Sequence, residues 1–179
     1  MTVTPTKIKN CYLIENFCQT DQRGSFTKFY NDSDFHQLGI EFNPKESYFS
    51  KSKKNVIRGM HFQKMPHHHD KLVSCVQGMI VDVILDLRPD SETYGQSDSF
   101  LLDEKNNKSI FIASGVAHGF LAIEDDTITL YNVTSGYNKN SDSGILWNSF
   151  GFDWPISEPI TSERDNSFPS FCRDHNFLI

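Results

Sequence analysis

Apolar and polar residues alternate in short runs along most of the chain, which is typical of β-strands with one buried face. The run 79–87 is the longest, with Val81, Val83, Leu85 and Leu87 on one face and Ile80, Asp82, Ile84 and Asp86 on the other. Polar turns such as 103–108 and 124–126 separate the runs at short, regular intervals. The pattern predicts an all-β protein built as a sandwich or barrel.

The same pattern predicts further strands over residues 7–15, 25–30, 47–50, 56–63, 71–73, 97–102, 109–112, 118–123 and 127–133. A short helix is expected from Asp32 or Ser33 through Leu38, because Asp and Ser cap helices and Gly39 can end one. No other segment shows a convincing helical pattern. The chain after Trp154 is expected to be an irregular tail laid over the barrel. Without a linker or fixed-period repeat, residues 1–179 are interpreted as one domain.

Functional groups interrupt the apolar pattern in the stretch 56–63 and the strand that follows its loop. Arg58, His61 and Gln63 alternate with apolar neighbours, and Lys71 opens the next strand. If one face packs on a core, the other presents a guanidinium, an imidazole and an ammonium in a row. We interpret this row as the floor of an active site.

Composition narrows the class of protein and its surroundings. The net charge of -6 gives no general attraction to nucleic acid or to an anionic membrane. No segment reaches transmembrane length, and the N-terminus lacks the apolar run of a signal peptide. Cys11, Cys18, Cys75 and Cys172 form no CxxC pair and no zinc-type spacing. We therefore expect free thiols in a reducing cytoplasm.

Segments along nearly the whole chain match, in order, those of a known family. They are Arg23-Gly24, Ser50 to Gln63, Lys71-Leu72-Val73, Val81-Asp82-Val83, Asp86-Leu87-Arg88, Ala117-His118-Gly119-Phe120, Leu130-Tyr131, Ile145-Leu146-Trp147-Asn148, Trp154-Pro155 and Ser162-Glu163-Arg164-Asp165. The chain resembles the dTDP-4-dehydrorhamnose 3,5-epimerases, cupin-type enzymes of nucleotide-sugar biosynthesis. The resemblance implies an antiparallel jelly-roll (cupin) β-barrel with a few short helices.

The resemblance also implies an activity, namely epimerisation at C3 and C5 of a 4-keto-6-deoxy nucleotide sugar through an enolate. Such a reaction needs a base on one face, an acid on the other and a cation near the enolate oxygen, but no cofactor and no metal. By resemblance, His61 is the base, Asp165 orients it, Lys71 stabilises the oxyanion and Tyr131 is the acid. Taken alone, each has an ordinary structural interpretation, such as a core aromatic for Tyr131.

Further residues are assigned to substrate binding by the same resemblance. Arg23, Arg58 and Arg164 are expected at the diphosphate, because the arginine fork binds phosphate oxygens bidentately. Asp82 and His118 are expected as a supporting polar pair near the sugar. The family also implies a homodimer in which Arg23 and Phe26 complete the neighbouring site.

Several expected binding positions depart from the family pattern at the nucleotide end and rim. Lys28 stands where the family commonly carries Glu, Glu46 where it carries Gln, and Tyr48 where it carries Asn. Tyr137 keeps one aromatic of a pair whose other member is Gly136 here. The nucleotide base, the exact sugar and the number of inverted centres therefore stay open.

The residues themselves leave three alternative functions open. The chain can be a 3-epimerase or a 5-epimerase of a related nucleotide sugar. It can be a metal-dependent cupin oxygenase, in which His67, His69 and His118 mimic the usual ligand set without the usual downstream Glu. It can also be a non-catalytic sugar-binding cupin, although the set of His61, Asp165, Lys71 and Tyr131 argues against that role.

Overall fold

The computed structural model describes residues 1–178 and consists mainly of antiparallel β-structure. Its elements are β1 (Thr2–Pro5), β2 (Tyr12–Glu15), β3 (Phe17–Asp21), β4 (Gly24–Lys28), α1 (Asp32–Gln37), β5 (Glu46–Ser52), β6 (Ile57–Gln63), β7 (Lys71–Gln77), β8 (Met79–Asp86), β9 (Ser97–Asp103), β10 (Lys108–Ile112), β11 (Val116–Ala122), β12 (Thr127–Val133), β13 (Asp142–Gly144) and α2 (Glu163–Ser167). The prediction of an all-β protein with few short helices is confirmed.

Two sheets hold most of these strands. The first has the order β1-β2-β10-β7-β12-β5, the second has the order β13-β6-β11-β8-β9, and β3 pairs with β4 as a separate hairpin. One buried cluster draws side chains from both sheets, including Val73 and Ile110 from the first and Ile84 and Phe120 from the second. The sheets therefore pack face to face around a shared apolar core.

The alternation along β8 sorts its side chains as the sequence predicts. Ile80 and Ile84 point into the core between the sheets. Val83 and Leu85 lie on the outer face, where the C-terminal tail covers them with Trp154. Both faces of β8 are thus buried, and Asp82 shares the inner face with its apolar neighbours.

Three predictions about the elements are wrong. The resemblance implied a β-barrel, but within residues 1–178 β5 pairs only with β12 and β13 only with β6, so a barrel is not closed at that edge. The strand expected over 7–15 begins only at Tyr12, because a turn at Asn10, which has a φ of 63°, breaks the extended run.

The third error is a missed helix, α2, near the C-terminus. Ser162 caps it, and the Ser162 hydroxyl accepts a hydrogen bond from the Asp165 amide. The four residues from Ser162 to Asp165 form a capping-box pattern, which is a sequence signal for a helix start. Helix α1 was predicted, and Asn31 caps it.

No helix within residues 1–178 is long and apolar enough to cross a membrane.

Candidate active site

A cavity of about 330 Å³ opens between the free edges of the two sheets. Strands β5, β7 and β12 of the first sheet line one side, and β6 and β13 of the second line the other. The lining residues are Glu46, Tyr48, His61, Phe62, Gln63, His69, Lys71, Val133, Tyr137, Asp142 and Arg164. The predicted row of functional groups on β6 and β7 therefore does form part of a pocket.

An irregularity in β6 sets which of its residues share a face. Arg58 pairs with Phe120 and His61 with His118, so two intervening residues of β6 face one intervening residue of β11. This β-bulge puts Arg58 and His61 on one face, although they are an odd number of residues apart. Gly59 makes it possible, because its φ is 147° and an added Cβ would lie 2.5 Å from the Gly119 Cα.

His61 and Asp165 form the contact that the resemblance implies. The His61 Nε2 lies 2.8 Å from the Asp165 Oδ1, and the Gly59 amide donates to the Asp165 Oδ2 at 3.3 Å. Burial tends to raise the pKa of Asp165, but the bond with His61 and the Gly59 amide hold that pKa below its ordinary value. An ionised Asp165 accepts the Nε2 proton of His61 and leaves Nδ1 as the basic nitrogen.

Lys71 stands beside this pair from the opposite sheet. Its Nζ donates to the His61 carbonyl at 3.0 Å, and the residue is only 6% exposed. Desolvation lowers the pKa of Lys71 to about 8, while Asp142 and Asp82 oppose the shift. The site therefore holds a cation whose charge is close to titrating at neutral pH.

Asp82 and His118 form a second pair under the pocket. The His118 Nε2 lies 2.6 Å from the Asp82 Oδ2, and both residues are buried. Burial raises the pKa of Asp82 and lowers the pKa of His118, so it disfavours the ion pair. Because His118 on β11 and His61 on β6 are register partners, this pair lies beside His61 on the same face of the second sheet.

Tyr131 lies deeper than the sequence suggested. It is 8% exposed, it does not line the cavity, and its ring stacks on Tyr48 with centroids 4.9 Å apart. The His118 ring meets Tyr131 edge-on at 6.0 Å. Tyr48, which is 42% exposed, lines the pocket, and so does Tyr137.

His69 and Asp142 line the cavity but were not assigned to substrate binding from the sequence, whereas Gln63 belongs to the row that was interpreted as the floor of the site. The Gln63 side chain donates to the carbonyls of His67 and Gly136 and accepts from the Asn138 amide. It therefore joins two loops at the pocket mouth. Asp142 reaches the pocket through the pairing of β13 with β6, which no local sequence pattern predicts.

The His69 imidazole is held at the wall of the pocket. Its Nδ1 lies 3.1 Å from both the Gln63 Nε2 and the Ser135 Oγ. Burial and then the nearby Lys71 lower the pKa of His69 to about 3, which keeps the ring neutral. His69 is therefore a polar but uncharged part of the lining.

The expected binding residues fall into two groups. Glu46, Tyr137 and Arg164 line the cavity, where Glu46 accepts from the Tyr137 amide at 2.8 Å and Arg164 donates to Asp142 at 2.6 Å. Arg58 lies on the same face as His61, outside the lining set, and donates to Ser52.

The β3–β4 hairpin carries the remaining expected residues. Arg23 and Phe26 line a separate surface depression, and Lys28 lies over the Phe17 ring at 5.7 Å. Within one chain, then, none of these three is brought to the cavity.

No three His, Cys, Asp or Glu side chains within residues 1–178 are grouped to hold a metal ion. His67, His69 and His118 thus do not form the ligand set of the oxygenase alternative, and the His118 Nε2 is engaged with Asp82.

The cavity brings together an oriented imidazole, a buried ammonium and a phenol on walls from two different sheets. Such a set can take a proton from a carbon beside a carbonyl, stabilise the resulting enolate and return a proton. These features define a class of protein, the acid–base isomerases built on antiparallel β-sheets.

Comparison with known proteins identifies the family. The chain belongs to the dTDP-4-dehydrorhamnose 3,5-epimerase family, whose model matches residues 5–173. The relative of that name from Mycolicibacterium smegmatis is 36% identical over 96% of this chain and 87% of its own length.

Solved structures give the same result. The dTDP-4-dehydrorhamnose 3,5-epimerase from Bacillus anthracis, with TDP and PPi bound, has a TM-score of 0.92 and 36% identity, covering 95% of this chain and 99% of its own. A 3'-monoepimerase from Streptomyces bikiniensis in complex with dTDP-quinovose has a TM-score of 0.87 and 27% identity, covering 93% and 86%.

Proposed function

We propose that this protein is a cofactor-free epimerase that inverts C3 and C5 of a 4-keto-6-deoxy nucleotide sugar. The reaction is of the type that converts dTDP-4-dehydro-6-deoxyglucose into dTDP-4-dehydrorhamnose. The observation that carries the proposal is the contact of His61 with Asp165 beside Lys71 in one cavity. The names of the matched relatives supply the substrate class.

His61 is the proposed base. Asp165 binds its Nε2 and so fixes the tautomer in which Nδ1 carries the free lone pair. A C–H beside the C4 ketone of the bound sugar transfers its proton to Nδ1. Oriented general-base catalysis of this kind contributes about 10²–10⁴-fold to the rate.

Lys71 is the proposed stabiliser of the enolate. When the proton leaves, negative charge develops on the C4 oxygen, and a buried ammonium interacts with it more strongly than an exposed one would. The Nζ already donates to the His61 carbonyl, which holds it beside the base.

Tyr131 is the proposed acid for the opposite face of the enolate, with Asp82 and His118 as the supporting pair near the sugar. Its strand belongs to the first sheet, whereas His61 belongs to the second. This division supplies the two faces that inversion requires. Tyr131 meets the supporting pair through the edge-on contact with His118.

The nucleotide end of the substrate is assigned to the rim. Arg58 and Arg164 are the proposed partners of the diphosphate, joined by Arg23 of a second protomer. Glu46, Tyr48, Tyr137 and the partner's Lys28 are the proposed contacts of the nucleoside and the rim. Support comes from the positions of Glu46, Tyr48, Tyr137 and Arg164 along the cavity wall.

A homodimer of jelly-roll (cupin) subunits in the cytoplasm is the assembly we propose. The β3–β4 hairpin pairs with no other strand within residues 1–178 and carries Phe26 with 62% of its surface exposed. A second copy that covers Phe26 would bring Arg23 to the neighbouring cavity. A monomer in light scattering at micromolar concentration would exclude this shared site.

Incubation with dTDP-4-keto-6-deoxyglucose in D₂O, followed by NMR, tests the proposed activity. We expect deuterium at C3 and at C5, together with the doubly inverted product. Deuterium at C3 alone would instead assign the chain to the monoepimerase activity of the Streptomyces bikiniensis relative. Absence of deuterium from both carbons would exclude epimerisation of this sugar.

A further inference from the structure

The ring of Phe168 fills a space beside the proposed base that a strand residue would otherwise occupy. In the pairing of β13 with β6, Gly144 is the register partner of His61, so a side chain at position 144 would flank the imidazole. Gly144 has no side chain, and an added Cβ would lie 2.5 Å from the Phe168 Cδ2. Phe168 therefore takes the place next to His61 that β13 leaves empty.

The chain on both sides of Phe168 holds its ring in this position. Pro169 follows, and a residue before proline is disfavoured in the helical conformation. Phe168 accordingly has a φ of -66° and a ψ of 150°, and helix α2 ends there. Just beyond, the Leu146 amide donates to the Pro169 carbonyl at 2.9 Å. The ring is thus anchored by α2 on one side and by the strand-like segment after β13 on the other.

Two side chains of the cavity contact the Phe168 ring. The His61 imidazole meets it edge-on, with 5.8 Å between the ring centroids and 73° between the planes. The Arg164 Cζ lies 5.0 Å from its centroid, which is the geometry of a cation–π contact. His61 and Arg164 line the cavity, whereas Phe168 lies outside the lining set. A ring in this position affects a bound substrate through its two neighbours and not by direct contact.

We propose that Phe168 is a positioning residue that fixes the plane of the His61 imidazole and the place of the Arg164 guanidinium. The inference rests on the proposed epimerase function, in which His61 is the base and Arg164 is a partner of the diphosphate. It adds a residue that acts on both ends of the substrate through side chains already assigned.

A single hydrogen bond does not fix the imidazole plane. The contact of the His61 Nε2 with the Asp165 Oδ1 holds one edge of the ring, and rocking of the side chain still moves Nδ1. Packing of Phe168 against the imidazole limits that rocking. Proton transfer from carbon depends steeply on geometry, and a misplacement of about 1 Å can cost about 10²-fold in rate.

Arg164 is likewise held at two points. Its Nη2 donates to the Asp142 carboxylate at 2.6 Å, and the Phe168 ring lies against the guanidinium. The hydrogen bond sets the direction of the side chain, and the ring contact sets its height over the cavity wall. Loss of the ring should therefore weaken the grip of Arg164 on a diphosphate.

Kinetic and binding measurements on three Phe168 variants test the inference. Phe168→Leu and Phe168→Met remove the ring and keep apolar bulk, whereas Phe168→Tyr keeps the ring. Solvent exchange and inversion of dTDP-4-keto-6-deoxyglucose in D₂O are followed by NMR, and dTDP binding by calorimetry. Rates are expressed per dTDP-binding site, so that a smaller folded fraction does not lower them. Phe42→Leu is the matched control, because Phe42 is a buried ring in the cluster on the other face of the first sheet.

We expect Phe168→Leu and Phe168→Met to lower exchange and inversion together, by about tenfold per site, because both steps need the oriented base. Their affinity for dTDP should fall about threefold through the lost contact with Arg164. Phe168→Tyr should recover most of both losses, and Phe42→Leu should match wild type per site.

Unchanged rates per site in the leucine and methionine variants would overturn the inference. So would losses of the same size in Phe168→Tyr or in Phe42→Leu, because a general packing defect would then explain them. Unchanged affinity for dTDP would overturn the part that concerns Arg164. A wild type that exchanges no carbon-bound proton would instead overturn the proposed function, whereas failures confined to the variants concern Phe168 alone.

Discussion

The charge on Lys71 should determine how kcat falls at alkaline pH. Desolvation, which Asp142 and Asp82 only partly oppose, lowers the pKa of Lys71 from 10.5 to about 8. The charged fraction then falls from about nine-tenths at pH 7 to about one-tenth at pH 9. If the ammonium stabilises the enolate, kcat should fall about tenfold over that range as the charge is lost.

Folding stability should change in the opposite direction over the same range. The lowered pKa of Lys71 corresponds to about 3 kcal/mol of stability, which the folded protein loses by holding a buried charge below pH 8. The unfolded chain binds the proton up to its ordinary pKa of 10.5, so this cost disappears as the pH rises from about 8 to 10.5. As the pH rises, kcat should therefore fall while the destabilising effect of the buried Lys71 charge disappears. A fall in kcat without a loss of stability would be caused by loss of the catalytic charge and not by unfolding.

Steady-state kinetics between pH 6 and 9.5 on wild type, Lys71→Arg and Lys71→Met provide the assay. Arginine stays charged throughout, so Lys71→Arg should lose the alkaline limb even if its rate is lower. Lys71→Met should lose about 10²-fold in kcat at pH 7, the size of a missing oxyanion contact. The two buried thiols do not titrate here, because burial raises the pKa of Cys11 to about 11 and of Cys75 to about 12.

Lys108→Met is the matched control, because Lys108 lies on β10 outside the cavity lining. Its profile should coincide with that of wild type. An alkaline limb that persists unchanged in Lys71→Arg would refute the reasoning. So would a wild-type rate that stays flat up to pH 9.5.

Two other predictions concern the base and the bulge that aims it. His61→Ala should abolish both solvent exchange and inversion while leaving binding of dTDP, measured by calorimetry, within about twofold, whereas Asp165→Asn should retain some exchange because it misorients the base without removing it. Gly59→Ala should lower the free energy of unfolding by about 3 kcal/mol in urea denaturation, because its Cβ would meet the Gly119 Cα at 2.5 Å. Gly151→Ala, at a φ of 81° with open space around it, should lose only about 1 kcal/mol, and equal losses in the two variants would contradict the steric explanation.

The fold class could be predicted because period-2 alternation is a local property. The alternation from Ile80 to Asp86 correctly separates the two faces of β8, and short polar turns mark where strands end. The start of β2 was misplaced because a single turn at Asn10 breaks a run that still alternates. Helix α2 was missed because five residues carry almost no helical periodicity, and only the cap at Ser162 announces it.

The site was less predictable than the fold, since its geometry depends on register. His61 and Lys71 were found because charged and polar groups on buried strands stand out in the sequence. The relative burial of Tyr48 and Tyr131 was not predicted, because it depends on the pairing of β5 with β12, which stacks the two rings. Asp142 lines the cavity through the pairing of β13 with β6, which joins residues about 80 positions apart.

The position of Asp165 links the chemistry to packing far from the cavity. The outer face of the second sheet presents Val83 and Leu85, and the tail covers them with Trp154 and Phe177. Each large apolar side chain so buried contributes about 1.5–3 kcal/mol, which is ample to hold the segment between Trp154 and Phe177 in place. Helix α2 lies in that segment and carries the Asp165 carboxylate to His61. Loss of outer-face packing would therefore disturb the orientation of the base, whereas Lys71, fixed on the opposite sheet, would keep its place.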